Sequence, residues 1–263
     1  MTVKQKTDGC DQHSELAASR LPIILAIDTS SPRLGLAIAR GAQMVAAFTE
    51  ESSAPHSQTL FPNLARLLES AQLDPSNIDA FAVATGPGSF TGLRVGLATV
   101  KGLARTLERA AIGITSLDGL ALASGAVGYV VAMIDAGRRE VYCGLREVSA
   151  SGEVKTVGED RVGSTSVVLA SLPLELNDAP LVFVGEGARH YRDELAAAAA
   201  QAGTHLQITA QMECNLASWQ LRDEQFDLAP HIALHAGRLF NAGTWPEAHA
   251  YYIRPSDAEL KCR

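Results

Sequence analysis

The four cysteines, Cys10, Cys143, Cys214 and Cys262, are scattered and form no C-x-x-C pair. That excludes a zinc knuckle and a disulfide framework and makes a reducing cytoplasm the expected compartment. No stretch approaches the roughly 20 apolar residues of a membrane span, and the opening "MTVKQKTDGCDQHSELAASR" lacks the apolar centre of a signal peptide. Positive charge is short as well: the formal net charge is -7, which argues against a stand-alone nucleic-acid binder, because nonspecific affinity comes from Lys and Arg on phosphates. Charged residues make up 19% and apolar ones 47% of the chain, so disorder is excluded and a sizeable core is expected. Several catalytic templates are absent too. There is no G-x-x-x-x-G-K-[ST] loop, no H-E-x-x-H, and Ser89 in "GPGSF" is not in a G-x-S-x-G elbow.

What is present is α/β patterning. "IILAID", "LGLAIA" and "QMVAAFTE" read as three short strands of a meander from Pro22. A helix is expected from about His56 to Leu73, kinked or delayed in its regular part by Pro62. "IDAFAVATG" reads as a buried strand, Ser89 to Leu107 as a helix, "AIGIT" as a strand and Leu117 to Ala123 as a helix. The pattern then restarts: "YVVAMIDAG" ends in Ile-Asp like "IILAID", and "EVYCGLREV" follows as "LGLAIA" did. This internal repeat predicts two similar lobes, 22–125 and 126–263, after a disordered extension over 1–21. The second lobe continues with an edge-like segment at Val154 to Glu159, the strand "LVFVG", an Ala-rich helix through "ELAAAAAQAG" and a last helix over Pro230 to Ala242.

The most informative stretch is "VATGPGSFTGLRVGLATVKGLA", Val83 to Ala104. Thr91 stands where a dinucleotide loop needs its third glycine, which weakens a phosphate-wrapping reading. Plotted at about 100° per residue, Leu93, Leu97, Val100 and Ala104 share a core face. Arg94, Lys101 and Arg105 share a basic strip that is either solvated or in contact with RNA. Gly92, Gly96 and Thr99 line a third face with Leu103, with Gly102 at its border. A helical glycine costs about 1 kcal/mol relative to alanine, so this row implies a closely approaching neighbour, from the same domain or from another chain.

"ILAIDTSSPRLGLAIA", "HSQTLFPNLARLLESA", "FAVATGPGSFTGLRVGLATVKGLA", "MIDAGRREVYCGLR", "FVGEGARHY" and "YIRPSDAELK" together resemble the bacterial TsaB (YeaZ) family, from about Ile23 to Lys261. The resemblance implies a two-lobed actin-like, hexokinase-like (ASKHA) α/β fold, each lobe a mixed sheet with flanking helices. It implies a noncatalytic scaffold or activating subunit in threonylcarbamoylation of the adenosine next to the tRNA anticodon. Its partners would be the related catalytic subunit TsaD and the ATPase TsaE, with a homodimer when alone and tRNA reached through the complex. His56, Leu60, Leu64, Leu68, Gly92, Gly96, Thr99 and Leu103 would then contact the partner, and Gly96→Leu would leave the isolated chain folded. The catalytic relative's H-x-E-x-H is replaced by Ser116, Asp118 and Leu120, so neither a metal nor a catalytic residue is expected; His231 and His235 in "HIALH" read as ordinary helix histidines. Asp28, Thr29, Ser30 and Asp135 stand where the fold's nucleotide-binding members hold Mg²⁺ and phosphate. No cofactor is expected on the chain alone, with ATP or ADP allowed at the partner interface. Gly185, Glu186 and Gly187 are either near a base or in a simple turn. The competing function is an actin-fold ATPase or small-molecule kinase; a peptidase has no motif to rest on.

Overall fold

The computed structural model describes residues 20–172, 180–209 and 219–254. Residues 1–19 of the expected extension over 1–21, three of the four cysteines and most of "YIRPSDAELK" lie outside the described residues. Two sheets carry the fold. The first has the order β3-β2-β1-β4-β5, from β1 (Ile23–Asp28), β2 (Arg33–Arg40), β3 (Gln43–Glu51), β4 (Ala80–Ala84) and β5 (Ala110–Ile114). β1 pairs antiparallel with β2, Ile23 opposite Arg40 and Asp28 opposite Gly35, and parallel with β4. The second sheet has the order β10-β11-β9-β6-β7-β8, from β6 (Gly128–Gly137), β7 (Glu140–Val148), β8 (Val154–Gly163), β9 (Leu181–Val184), β10 (Leu206–Thr209) and β11 (Trp219–Arg222). Here β6 is antiparallel to β7 and parallel to β9. The restart read from the sequence is this repeated topology, a three-stranded meander followed by parallel strands, doubled into a two-lobed α/β fold.

Central strands buried on both faces read as continuous apolar runs, and β1 is buried along its whole length. Ile23, Leu25 and Ile27 point to one face with α1 (His56–Ser70) and α2 (Phe90–Leu107), through Leu60, Leu64, Leu67, Leu97 and Val100. α1 runs unbroken through Pro62, which sits exposed in its second turn. α2 is capped by the Ser89 hydroxyl, which accepts from the Gly92 N–H at 3.2 Å, and ends at Glu108 in a left-handed conformation. In the second sheet Val131, Met133, Phe183 and Leu221 meet α4 (Thr165–Ala170), α5 (Glu186–His190) and α6 (Arg192–Gln201).

The two remaining helices cross over, which corrects the division at residue 125. α3 (Ser116–Ala123) follows β5 of the first sheet but packs on the second, where Leu117, Leu120 and Leu122 join Val130, Ala132 and Val182. α7 (Leu228–Asn241), the last helix described, returns to the first sheet: Ala229, Ile232, Ala233 and Ala236 lie on Ile24, Ala26, Ala37 and Ala82. Each sheet therefore has one face closed by a helix from the other half of the chain. α3 and α7 also touch, since a Cβ added to Gly119 would stand 3.3 Å from Ile232.

Candidate functional site

Between the lobes lies a cleft of about 880 Å³, counting its open side, lined by the β1–β2 loop, Glu51, Pro87, Leu120, Ile134, Gly185, Glu186, Arg189 and Glu224 to Leu228. Its walls come from strand ends of both sheets, as open α/β sheets dispose their clefts. The β1–β2 loop is its most constrained part. Asp28 is 4% exposed, and its Oδ1 accepts from the Ser30 N–H at 2.9 Å and the Ser30 hydroxyl at 2.6 Å. Burial raises the Asp28 carboxyl above its ordinary range, against the lowering effect of the Ser30 bonds. The Thr29 hydroxyl donates to the Gly92 carbonyl at 2.8 Å, the Ser89 N–H to the Ser30 carbonyl at 2.7 Å, and His56 Nε2 lies 2.8 Å from the Ser31 carbonyl, which makes that nitrogen the donor.

These bonds explain the glycine row and correct its reading. A Cβ at Gly92 would collide with the Thr29 carbonyl oxygen, and one at Gly96 with the Thr29 hydroxyl, while Val83 stands 3.3 Å away. The closely approaching neighbour is the chain's own β1–β2 loop, not another chain. Gly92, Gly96 and Thr99 are buried within the protein, and Leu60, Leu64 and Leu68 are core residues of α1. Leu103 is half-buried against the same core, and His56, the first residue of α1, is bonded to the loop. The expectation that Gly96→Leu leaves the isolated chain folded is overturned with them. Thr29, fully buried and bonded to α2, faces away from any ligand in the cleft. Among the residues that α1 and α2 do expose are Phe61, Pro62, Ala65, Arg66 and Glu69 on the first, and Arg94, Ala98, Lys101, Gly102 and Arg105 on the second.

Across the cleft, Asp135 is half-buried, and its Oδ1 accepts from the Gly137 N–H at 2.8 Å. Glu186 is raised by burial and by Asp135. Gly185 and Gly187 are needed for close approach to β6: a Cβ on Gly185 would strike the Met133 carbonyl, and one on Gly187 would lie 3.0 Å from the backbone of Met133 and Ile134. The turn reading holds there. Five carboxylates, Asp28, Glu51, Glu186, Glu224 and Asp227, line the cleft against Arg33 and Arg189. Arg33 is already bound to Asp227 at 2.6 Å.

The corner after β5 places Ser116, Asp118 and Leu120 on the first turns of α3, whose cap is the Thr115 hydroxyl accepting from the Asp118 N–H at 3.0 Å. Ser116 is fully buried and Leu120 is part of the core under the second sheet. Asp118 takes the Arg146 Nε–H, and Arg146 also donates to both oxygens of Asp160, at 2.6 and 2.8 Å. This buried fork was missed from sequence; its one signal is an arginine two residues after Gly144 in an apolar strand. Gly144 makes the room, since a Cβ there would collide with the Asp160 carboxylate. His231 and His235 lie on α7, both lowered chiefly by burial. Among the described residues no group of three or more His, Cys, Asp or Glu is placed to hold a metal ion, and no helix is long and apolar enough to cross a membrane.

The family model for TsaD, tRNA N6-adenosine threonylcarbamoyltransferase, matches residues 48–220. The tRNA threonylcarbamoyladenosine biosynthesis protein TsaB of Bacillus subtilis is 34% identical over 165 residues, 62% of this chain and 70% of that protein. TsaB of Escherichia coli is 36% identical over 81 residues, 31% of this chain and 35% of that protein. Among solved structures, YeaZ from Pseudomonas aeruginosa superposes with a TM-score of 0.70 at 25% identity, covering 88% of this chain and all (100%) of that one. The repeated sheets, the exchanged helices and these likenesses agree, and the chain belongs to the TsaB (YeaZ) family.

Proposed function

We propose that this chain is the noncatalytic partner of a TsaD-type subunit in tRNA threonylcarbamoyladenosine biosynthesis, with a TsaE-type ATPase joining the pair. The observation that carries the reading is the corner at 116–120. Where the catalytic relative has H-x-E-x-H, this chain has a buried serine, a leucine in the core and an aspartate committed to Arg146. Leucine offers no donor, and a carboxylate held by a guanidinium is a poor metal ligand. The cleft supports the same reading. Its carboxylates outnumber its cations, Thr29 is turned into α2 and the Gly185 and Gly187 backbones are spent on β6. These residues do not fit an unchelated nucleotide, so no chemical step is assigned to the cleft.

The partner face we assign is the outward side of α1 and α2, with Phe61, Pro62 and Ala65 on the first and Ala98 and Gly102 on the second, in place of the inward residues first expected. Phe61 is 57% exposed, and a Cβ on Gly102 would meet nothing within 4 Å. The test is reconstitution: tRNA threonylcarbamoylation is measured with the catalytic subunit, the ATPase and the threonylcarbamoyl-adenylate donor, with and without this chain. Turnover should require the chain and survive Asp118→Asn. Turnover unchanged by omitting the chain would overturn the proposal.

A further inference from the structure

The hairpin between β6 and β7 turns on residues that a tight turn does not favour. Gly137 pairs with Glu140, so the two central residues are Arg138 and Arg139. Both take left-handed φ, 57° and 60°, directly after Gly137 at 67°. Positive φ at both central positions is the type I′ pattern, which prefers Asn-Gly or Gly-Gly because a β-carbon is strained there. The other left-handed non-glycine residues among those described are Gln72 and Glu108. Each stands singly just past a helix, where one left-handed residue is the ordinary ending. The arginine pair has no such structural reason. The backbone under it is nevertheless held from both sides: Asp135 Oδ1 accepts from the Gly137 N–H at 2.8 Å, and Arg254 donates to the Ala136 carbonyl at 3.2 Å and pairs with Glu140. Gly137, Arg138 and Arg139 are all exposed. Burial and Asp135 raise the Tyr191 hydroxyl and Arg139 opposes them, which puts the Arg139 guanidinium within electrostatic reach of the junction between α5 and α6. The exposed His190 and Arg192 flank that junction.

We propose that this tip contacts the phosphate backbone of tRNA in the assembly; the inference rests on the tRNA reading above. A guanidinium meets phosphate oxygens through two parallel N–H bonds and needs no groove to do so. A protein partner would instead need apolar or aromatic anchors, and the turn offers none. Because the turn is pinned at its base, little ordering is required when an anion arrives. A chain of net charge -7 gains little RNA affinity from two cations alone, so the contact counts when another subunit already holds the RNA. Phosphate contacts position a nucleic acid without reading its sequence. The tip therefore strengthens binding of all substrate tRNAs alike.

The experiment uses the full chain assembled with the TsaD-type subunit and the ATPase, and unmodified tRNA. The variant R138N/R139G installs the pair that the turn prefers and removes both cations. Its thermal midpoint should equal or exceed the parent's, while the affinity of the assembly for tRNA falls about tenfold. The slope of log affinity against log salt should become shallower by about 1 to 2, the loss expected for two phosphate contacts. In turnover, KM for tRNA should rise with kcat kept. R138K/R139K should restore most of the slope, and Arg40→Ala, which removes an exposed cation from the other lobe, should leave tRNA binding unchanged. Unaltered tRNA affinity and slope in R138N/R139G, with the chain still required for turnover, would overturn the tip contact and leave the functional reading standing. A lowered thermal midpoint would mean that the arginines serve the fold, and lost affinity for the TsaD-type subunit that they serve a protein contact; either result overturns the proposal. If omitting the chain changes neither turnover nor tRNA affinity, the functional reading fails and the tip contact with it.

Discussion

The two sheets repeat one topology, yet the loops that follow their first strands are built in opposite ways. After β1, Thr29, Ser30 and Ser31 are each bonded to α1, α2 or the turn before α2, and Asp28 is sealed behind them. After β6, the half-buried Asp135 carboxylate accepts from the Gly137 N–H, the Ala136 carbonyl accepts from Arg254 at 3.2 Å, and the exposed hairpin tip carries Arg138 and Arg139, both at left-handed φ of 57° and 60°. The arginines of the paired strands differ as sharply. By strand register Arg40 sits opposite Ile23 five residues before Asp28, as Arg146 sits opposite Val130 five before Asp135. Arg40 is exposed; Arg146 is fully buried between two carboxylates. Duplication has kept the strands and changed what their ends hold, locking a loop in one lobe and burying a charge in the other.

The largest contrast is expected at the paired arginines. Arg146→Ala strands Asp118 and Asp160 in the interior and should cost about 3–5 kcal/mol in urea unfolding, while Arg40→Ala should stay within about 0.5 kcal/mol. Equal losses would mean that the buried fork is not a structural centre. Next, Gly96→Leu should destabilise the isolated chain by about 3 kcal/mol, since the Thr29 loop must move to admit it; a parental thermal midpoint would contradict the internal contact. Gly102→Ala on the same helix, with open space around it, should gain up to about 1 kcal/mol. Thr29→Val removes one buried hydrogen bond and should cost about 1 kcal/mol, whereas Asp135→Asn in the more exposed loop should change little.

The subtlest test is pH. The Asp28 carboxyl is raised in the folded protein, so between its ordinary and its raised value the native state holds more protons than the unfolded chain. Stability from this group therefore falls as pH rises through that window and stays reduced above it. Asp28→Asn should raise the thermal midpoint at neutral pH and make no difference at a pH below the ordinary carboxylate range. A gain of the same size at both values would assign the effect to something other than the buried charge.

Much of this was legible in the sequence, and the failures have a common cause. The repeat was visible because both first strands end in Ile-Asp, and the core face of α2 followed from the spacing of Leu93, Leu97, Val100 and Ala104. The row of Gly92, Gly96 and Thr99 correctly signalled close approach, but its neighbour, Thr29, lies more than sixty residues upstream of Gly92; spacing within a helix cannot name a contact that distant. Leu60, Leu64 and Leu68 followed the same helical period as any core face, so the period alone could not reserve them for a partner. The destinations of α3 and α7 were hidden because an apolar helix face fits either sheet equally well. Arg146 was missed because its carboxylates come from two separate elements, α3 and β8.

The crossing of α3 and α7 sets the order in which the molecule can be completed. A ribosome making this chain has exposed all of the first sheet by Ile114, yet the face formed by Ile24, Ala26, Ala37 and Ala82 waits for a helix that begins at Leu228. More than a hundred residues of synthesis separate that apolar surface from its cover. Such long-range closure slows folding and prolongs exposure to aggregation. Neither half is then a separable folding unit: a fragment ending at residue 125 would keep one bare sheet face, and the intact chain should lose both lobes in a single cooperative transition.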